Sequence, residues 1–138
     1  MNPHQQATAM RPNRSLARLC LVACLAGTSS HALAQEAEQI VSGEELRRLW
    51  VGKKVFARSP TGGLVDFHMR ADGTTQLSMT SMNDTGTWRP TETGYCATWQ
   101  RIRAGQERCF TVVKRGGTTY VLNPDKSISV EVLRIVGD

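Results

Sequence analysis

The chain is poor in the residues from which most catalytic and metal centres are built. Its 138 residues include three histidines, four cysteines, three tryptophans, two tyrosines and three phenylalanines. No phosphate-binding loop, zinc-protease helix, Gly-x-Ser-x-Gly elbow or dinucleotide fingerprint occurs, so the enzyme classes that announce themselves by such motifs are excluded. Internal repeats and low-complexity tracts are missing as well. No apolar run reaches the length needed to cross a bilayer as a helix.

What is present begins with a leader. Arg11, Arg14 and Arg18 precede the apolar run Leu19 to Gly27, followed by Thr28-Ser29-Ser30 and Ala32-Leu33-Ala34. A basic region, a short apolar core and small residues before the cleavage point predict a secretory signal peptide, residues 1–34, cut before Gln35. Met10 would give this leader a more compact start. Leu21-Val22-Ala23-Cys24 also matches a bacterial lipobox, which would lipidate Cys24 and anchor the chain. Arg18 leaves only five apolar residues before that cysteine, short of a normal apolar core.

Removing the leader changes what composition implies. Three of the 17 basic residues go with it, leaving 14 against 12 acidic ones and a net charge of about +2. The high isoelectric point therefore gives no argument for a nucleic-acid partner. The four cysteines fall to two, Cys96 and Cys109, which suits an oxidising compartment and a periplasmic or secreted protein.

About 100 residues remain, enough for a single domain with its own core. Residues 35–42 are expected to be a flexible leader to a β domain over 43–138. Ser42-Gly43-Glu44-Glu45 has the form of a capping box, and Leu46, Leu49 and Trp50 follow at helical spacing, predicting a short helix over 43–50 that ends at Gly52. Beyond it the period becomes two. Strands are expected over 53–58, 64–70 and 74–80, the last two joined by the turn Ala71-Asp72-Gly73. Residues 81–85 and 90–94 are expected to be loops; Asn83-Asp84-Thr85, a glycosylation-acceptor pattern, falls in the first. Further strands follow around Trp88, over Tyr95 to Trp99, over Arg108 to Lys114, over Thr118 to Leu122 and over Ser127 to Val136. In the last of these the apolar parity shifts near Val132, which predicts a bulge.

About eight strands joined by short turns, with one short N-terminal helix, predict an all-β, antiparallel up-and-down meander. Closure into an eight-stranded barrel would remove both edges; an open twisted sheet under the helix is the alternative. If residues 101–107 close a hairpin, Cys96 and Cys109 lie opposite one another and a cross-strand disulfide is geometrically allowed. Free or metal-binding thiols are the rival, although only His68 and scattered carboxylates would complete a zinc site. No metal or cofactor is expected.

The arrangement of the aspartate-glycine hairpin, Gly86-Thr87-Trp88-Arg89, Gly94-Tyr95-Cys96 with Trp99, then Cys109-Phe110 and Gly117-x-x-Tyr120 resembles a widespread group of small exported proteobacterial β proteins of unknown function. The resemblance spans about 46–136. It implies export, a disulfide and a β fold, and it transfers no activity.

Few residues suggest chemistry. His68, flanked by Asp66 and Arg70 on one strand face, would be the base of an enzyme if Asp66 oriented it; Asp66 and Asp72 as paired carboxylates are a weaker idea. Alternating polar residues on a wet strand face explain the same pattern. Trp88, Trp99 and Tyr120 offer flat surfaces for a ligand at a barrel mouth, although a domain this small needs its aromatics to fill the interior. Arg101, Arg103 and Arg108 cluster near one loop, where they would meet an anionic envelope polymer or an acidic partner, or simply face solvent. The leading expectation is a non-enzymatic protein that binds an envelope component or a small apolar ligand. An inhibitor or accessory subunit acting by loop insertion is the second.

Overall fold

Alternation of apolar and polar residues through most of the chain gives each strand one face for a core, and eight such strands satisfy one another only by closing on themselves. The computed structural model describes residues 37–137. The elements in order are β1 (Gln39–Ile40), α1 (Gly43–Trp50), β2 (Lys53–Arg58), β3 (Leu64–Met69), β4 (Thr74–Met79), β5 (Met82–Thr91), β6 (Gly94–Trp99), a 3-10 turn (Ile102–Gly105), β7 (Arg108–Arg115), β8 (Thr118–Leu122) and β9 (Ile128–Gly137). β2 to β9 pair antiparallel in chain order, and β9 returns to pair with β2. The result is a closed eight-stranded up-and-down barrel with one short helix, and the open-sheet alternative is set aside.

Registers carry the alternation around the barrel. Val55 lies opposite Phe67, and Phe67 opposite Leu77, so the apolar parity of one strand meets that of the next. Val55, Phe67, Met69, Trp88, Tyr95, Ala97, Trp99, Phe110, Val112 and Val121 are all buried in one core. The bulge expected in the last strand is present: Phe56 pairs with Arg134 and Ala57 with Val132, so Leu133 is the extra residue. It allows both Ile135 and Val132 to stand opposite the buried Val55 and Ala57. On the outer face, the Arg134 guanidinium lies 4.3 Å from the Phe56 ring centroid.

Three expectations need correction. Residues 39–40, expected within a flexible leader, form a short strand on the edge of β7, Gln39 opposite Lys114 and Ile40 opposite Val113, and Val41 behind them is fully buried. This segment takes over the edge of β7 where β6 stops pairing with it, at Thr111. Of residues 81–85, expected as a loop, all but Ser81 belong to β5, because the two-residue turn Thr80-Ser81 sets Met82 directly opposite Met79. Pro90 and Thr91 are likewise inside β5, opposite Tyr95 and Gly94. Proline is tolerated there because β4 pairs with β5 only as far as Thr87.

Cys96 and Cys109 are a register pair and are joined by a disulfide on the outer face of the barrel. This replaces the free-thiol and metal-binding alternatives: the two sulfurs are bonded to each other, and the neighbouring Glu107 carboxylate is taken by the Arg89 guanidinium through two hydrogen bonds of 3.0 and 2.8 Å. The bridge fits a compartment outside the reducing cytoplasm. No helix among the described residues is long and apolar enough to cross a membrane. The signal-peptide reading and lipidation at Cys24 concern residues outside those described.

Candidate functional site

The two ends of the barrel are built differently, and the difference starts with the capping box. The Ser42 hydroxyl accepts a hydrogen bond from the Glu45 backbone N–H at 3.2 Å, Glu44 and Glu45 occupy the first turn of α1, and Arg47 and Arg48 the last, an order that suits the helix dipole. The apolar stripe of this helix turns Leu46 and Trp50 inward, both fully buried. Trp50 meets Phe67 edge-on at 5.4 Å between ring centroids and Tyr95 at 6.2 Å. Lys114 donates to Glu45 at 2.9 Å, tying the helix to β7. Gly43 seats the helix start against β5: a side chain there would run into Pro90 and the Thr91 backbone. One mouth is therefore plugged.

The other mouth is framed by the turns β2–β3, β4–β5 and β6–β7 and by the start of β9. It opens into a cavity of about 440 Å3. Its walls are Phe67, Met69, Leu77, Met79, Trp99 and Phe110, and Tyr95 also faces it. Phe67 and Tyr95 are the same rings that Trp50 touches, so the helix plug packs behind the cavity's inner wall. Burial raises the Tyr95 phenol above its ordinary value, keeping it neutral. At the rim stand Leu64, which is 61% exposed, Ile102 and Arg103.

The rim loop is held in an uncommon shape. Arg103 and Ala104 have φ of 56° and 50°, the left-handed region, followed by Gly105 at 74°. For the two non-glycine residues this conformation costs roughly 1–2 kcal/mol each. Asp84, buried on β5, supplies the constraint: its carboxylate accepts from the backbone N–H groups of Arg101 at 3.0 Å, Ile102 at 2.9 Å and Thr85 at 2.9 Å. Burial pushes the Asp84 carboxyl upward, but these N–H donors outweigh it and the net direction is below the usual carboxylate range. The loop so held contributes Arg103 to the cavity lining. Burial, and then the nearby Arg108 cation, push the Arg103 guanidinium below its ordinary value.

The residues singled out from sequence separate into groups. Trp99 and Arg103 line the cavity. Trp88 is buried beside the plug, its indole N–H donating to the Arg70 carbonyl at 2.9 Å with Arg47 5.9 Å from its ring centroid. Tyr120 lies on β8, opposite Val113 and Glu131, beneath the Arg115 guanidinium. Arg101 is exposed and joins the site through its backbone; Arg108 is half-buried at the start of β7. His68 is on the outer face in a polar pocket with Lys54, Asp66 and Gln76. Its Nε2 is buried without a hydrogen-bond partner, and Asp66 faces Lys54 at 3.8 Å. Asp72 caps its own turn, accepting from the Thr74 N–H at 2.9 Å and the Thr74 hydroxyl at 2.7 Å.

Sequence reasoning missed Asp84 and the apolar walls. Asp84 shares strand parity with Gly86 and Trp88, a signal hidden once residues 81–85 are read as a loop. Leu77, Met79 and Phe110 look like any core residues until the barrel leaves space between them. Comparison of the chain with protein-family models, curated proteins and solved structures gives no match.

Proposed function

We propose that this protein is a periplasmic or secreted binding protein whose barrel takes a small apolar ligand. The observation that carries this is the asymmetry of the two mouths: one is closed by α1 and Trp50, and the other opens into a cavity of about 440 Å3 walled by apolar and aromatic side chains. That volume lies in the usual range for small-molecule pockets, and rigid aromatic walls lose little side-chain entropy on binding. An apolar cavity gives water few partners, so a ligand that fills it displaces little that is well bonded. The disulfide supports the assignment to an oxidising compartment. The rim loop lies over the mouth and contributes Ile102 and Arg103 to the cavity lining, which supports ligand binding over insertion of that loop into a partner.

The test is calorimetric titration of the protein with a neutral apolar probe such as N-phenyl-naphthylamine, repeated with Leu77→Trp, which fills the cavity from its wall. Saturable binding to the wild type, weakened at least about tenfold by Leu77→Trp, is the expected result. Equal binding by both, with the variant folded by circular dichroism, would place the probe elsewhere and end the proposal.

A further inference from the structure

Arg103 is the one charged residue among those lining the cavity. It takes part in none of the ion pairs among the described residues, where the surface arginines Arg58, Arg89 and Arg115 each hold a carboxylate. Its charged neighbour is another cation, Arg108. Asp125 faces its own turn, accepting from the Ser127 N–H at 2.9 Å and from the Ser127 hydroxyl. An exposed guanidinium at the mouth of an apolar cavity, beside a like charge and outside the ion pairs among the described residues, is free to form a charge-assisted pair with an anion that enters. The loop places it deliberately: Asp84 pins the N–H groups of Arg101 and Ile102, and the left-handed conformation of Arg103 and Ala104 follows.

We infer that the ligand is a single-chain amphiphile with an anionic head, its alkyl tail in the cavity and its carboxylate or phosphate paired with Arg103 at the mouth. This rests on the cavity being the binding site, and it specifies the class of molecule that enters. A neutral ligand would gain nothing from the Arg103 cation, and a cationic one would be repelled by Arg103 and Arg108 together. The planar guanidinium suits either anion, since both present two oxygens to its fork.

The experiment compares decanoate, decyl phosphate and decanol, which share one tail, by calorimetric titration of the wild type, Arg103→Gln, Arg103→Lys and Arg101→Gln. The expected result is decanoate or decyl phosphate binding at least about tenfold tighter than decanol, the order of the two anions identifying the head group. Arg103→Gln should bring the anions down to the level of decanol and leave decanol itself unchanged. Arg103→Lys should keep much of the preference, and Arg101→Gln, which removes an equal charge from the same loop, should keep nearly all of it. If decanol binds as tightly as decanoate, the anionic head is wrong, and if Arg103→Gln retains the preference, the pairing with Arg103 is wrong; in both cases the cavity remains the binding site. If none of the three binds, the proposed function itself falls.

Discussion

The carboxylate of Asp84 accepts a hydrogen bond from the backbone N–H of Arg101 at 3.0 Å across 17 positions of sequence. This link joins the strand that walls the barrel to the loop that shapes its mouth. It sets the direction of the first prediction.

The Asp84 carboxyl is held below the usual carboxylate range in the folded protein. Its contribution to stability is therefore complete above the ordinary aspartate value, near pH 4, and is lost as pH falls through the lower folded value. Asp84→Asn should lower the unfolding midpoint at neutral pH and flatten the acid limb of a stability-against-pH curve. The limb that remains should come from Asp72, Glu107 and Asp125, whose carboxyls are also lowered by hydrogen bonds. An unchanged acid limb, followed by urea denaturation between pH 2 and 7, would show that the rim loop does not depend on this carboxylate.

Reduction of the Cys96–Cys109 bridge releases a constraint spanning 13 positions. The chain-entropy model puts its stabilisation at about 3 kcal/mol. Urea midpoints with and without dithiothreitol should differ accordingly, and the double variant Cys96→Ala, Cys109→Ala should show no further response to the reductant. Cys109 is exposed on the outer face while Cys96 is buried.

Trp50→Ala removes the buried ring that touches both Phe67 and Tyr95, two residues of the cavity wall. Large-to-small substitution of a buried tryptophan costs about 3–5 kcal/mol. The denaturation midpoint should drop by a corresponding amount with little change in slope. A loss below about 1 kcal/mol would mean that the plug contributes little to the barrel's stability.

Of the two tryptophans considered for ligand contact, Trp99 lines the cavity and Trp88 sits beside the plug with its N–H bound to the Arg70 carbonyl. Ligand-induced changes in intrinsic fluorescence should disappear in Trp99→Phe and persist in Trp88→Phe. The opposite pattern would move the ligand to the plugged end.

Much of the barrel was legible because its causes are local. Val65, Phe67 and Met69 alternate with Asp66, His68 and Arg70; the turn Ala71-Asp72-Gly73 reverses the chain; Ser42 and Glu45 mark the start of α1. The candidate site was legible only in part. Trp99 and Arg103 stood out by residue type, but nothing near them in sequence separates Trp99 from Trp88, or Arg103 from Arg101 and Arg108.

By itself the sequence determined the strand periodicity, the helix cap, the bulge near Val132 and the facing positions of Cys96 and Cys109, because side-chain alternation and turn chemistry act over a few residues. Tertiary structure alone decided which mouth the helix closes, that Asp84 is a buried anchor rather than a loop residue, and that space is left between Phe67, Leu77, Trp99 and Phe110 beneath Arg103. Those outcomes depend on where eight strands meet when the sheet closes, and the distances between strands remote in sequence are set by the packing of all of them together.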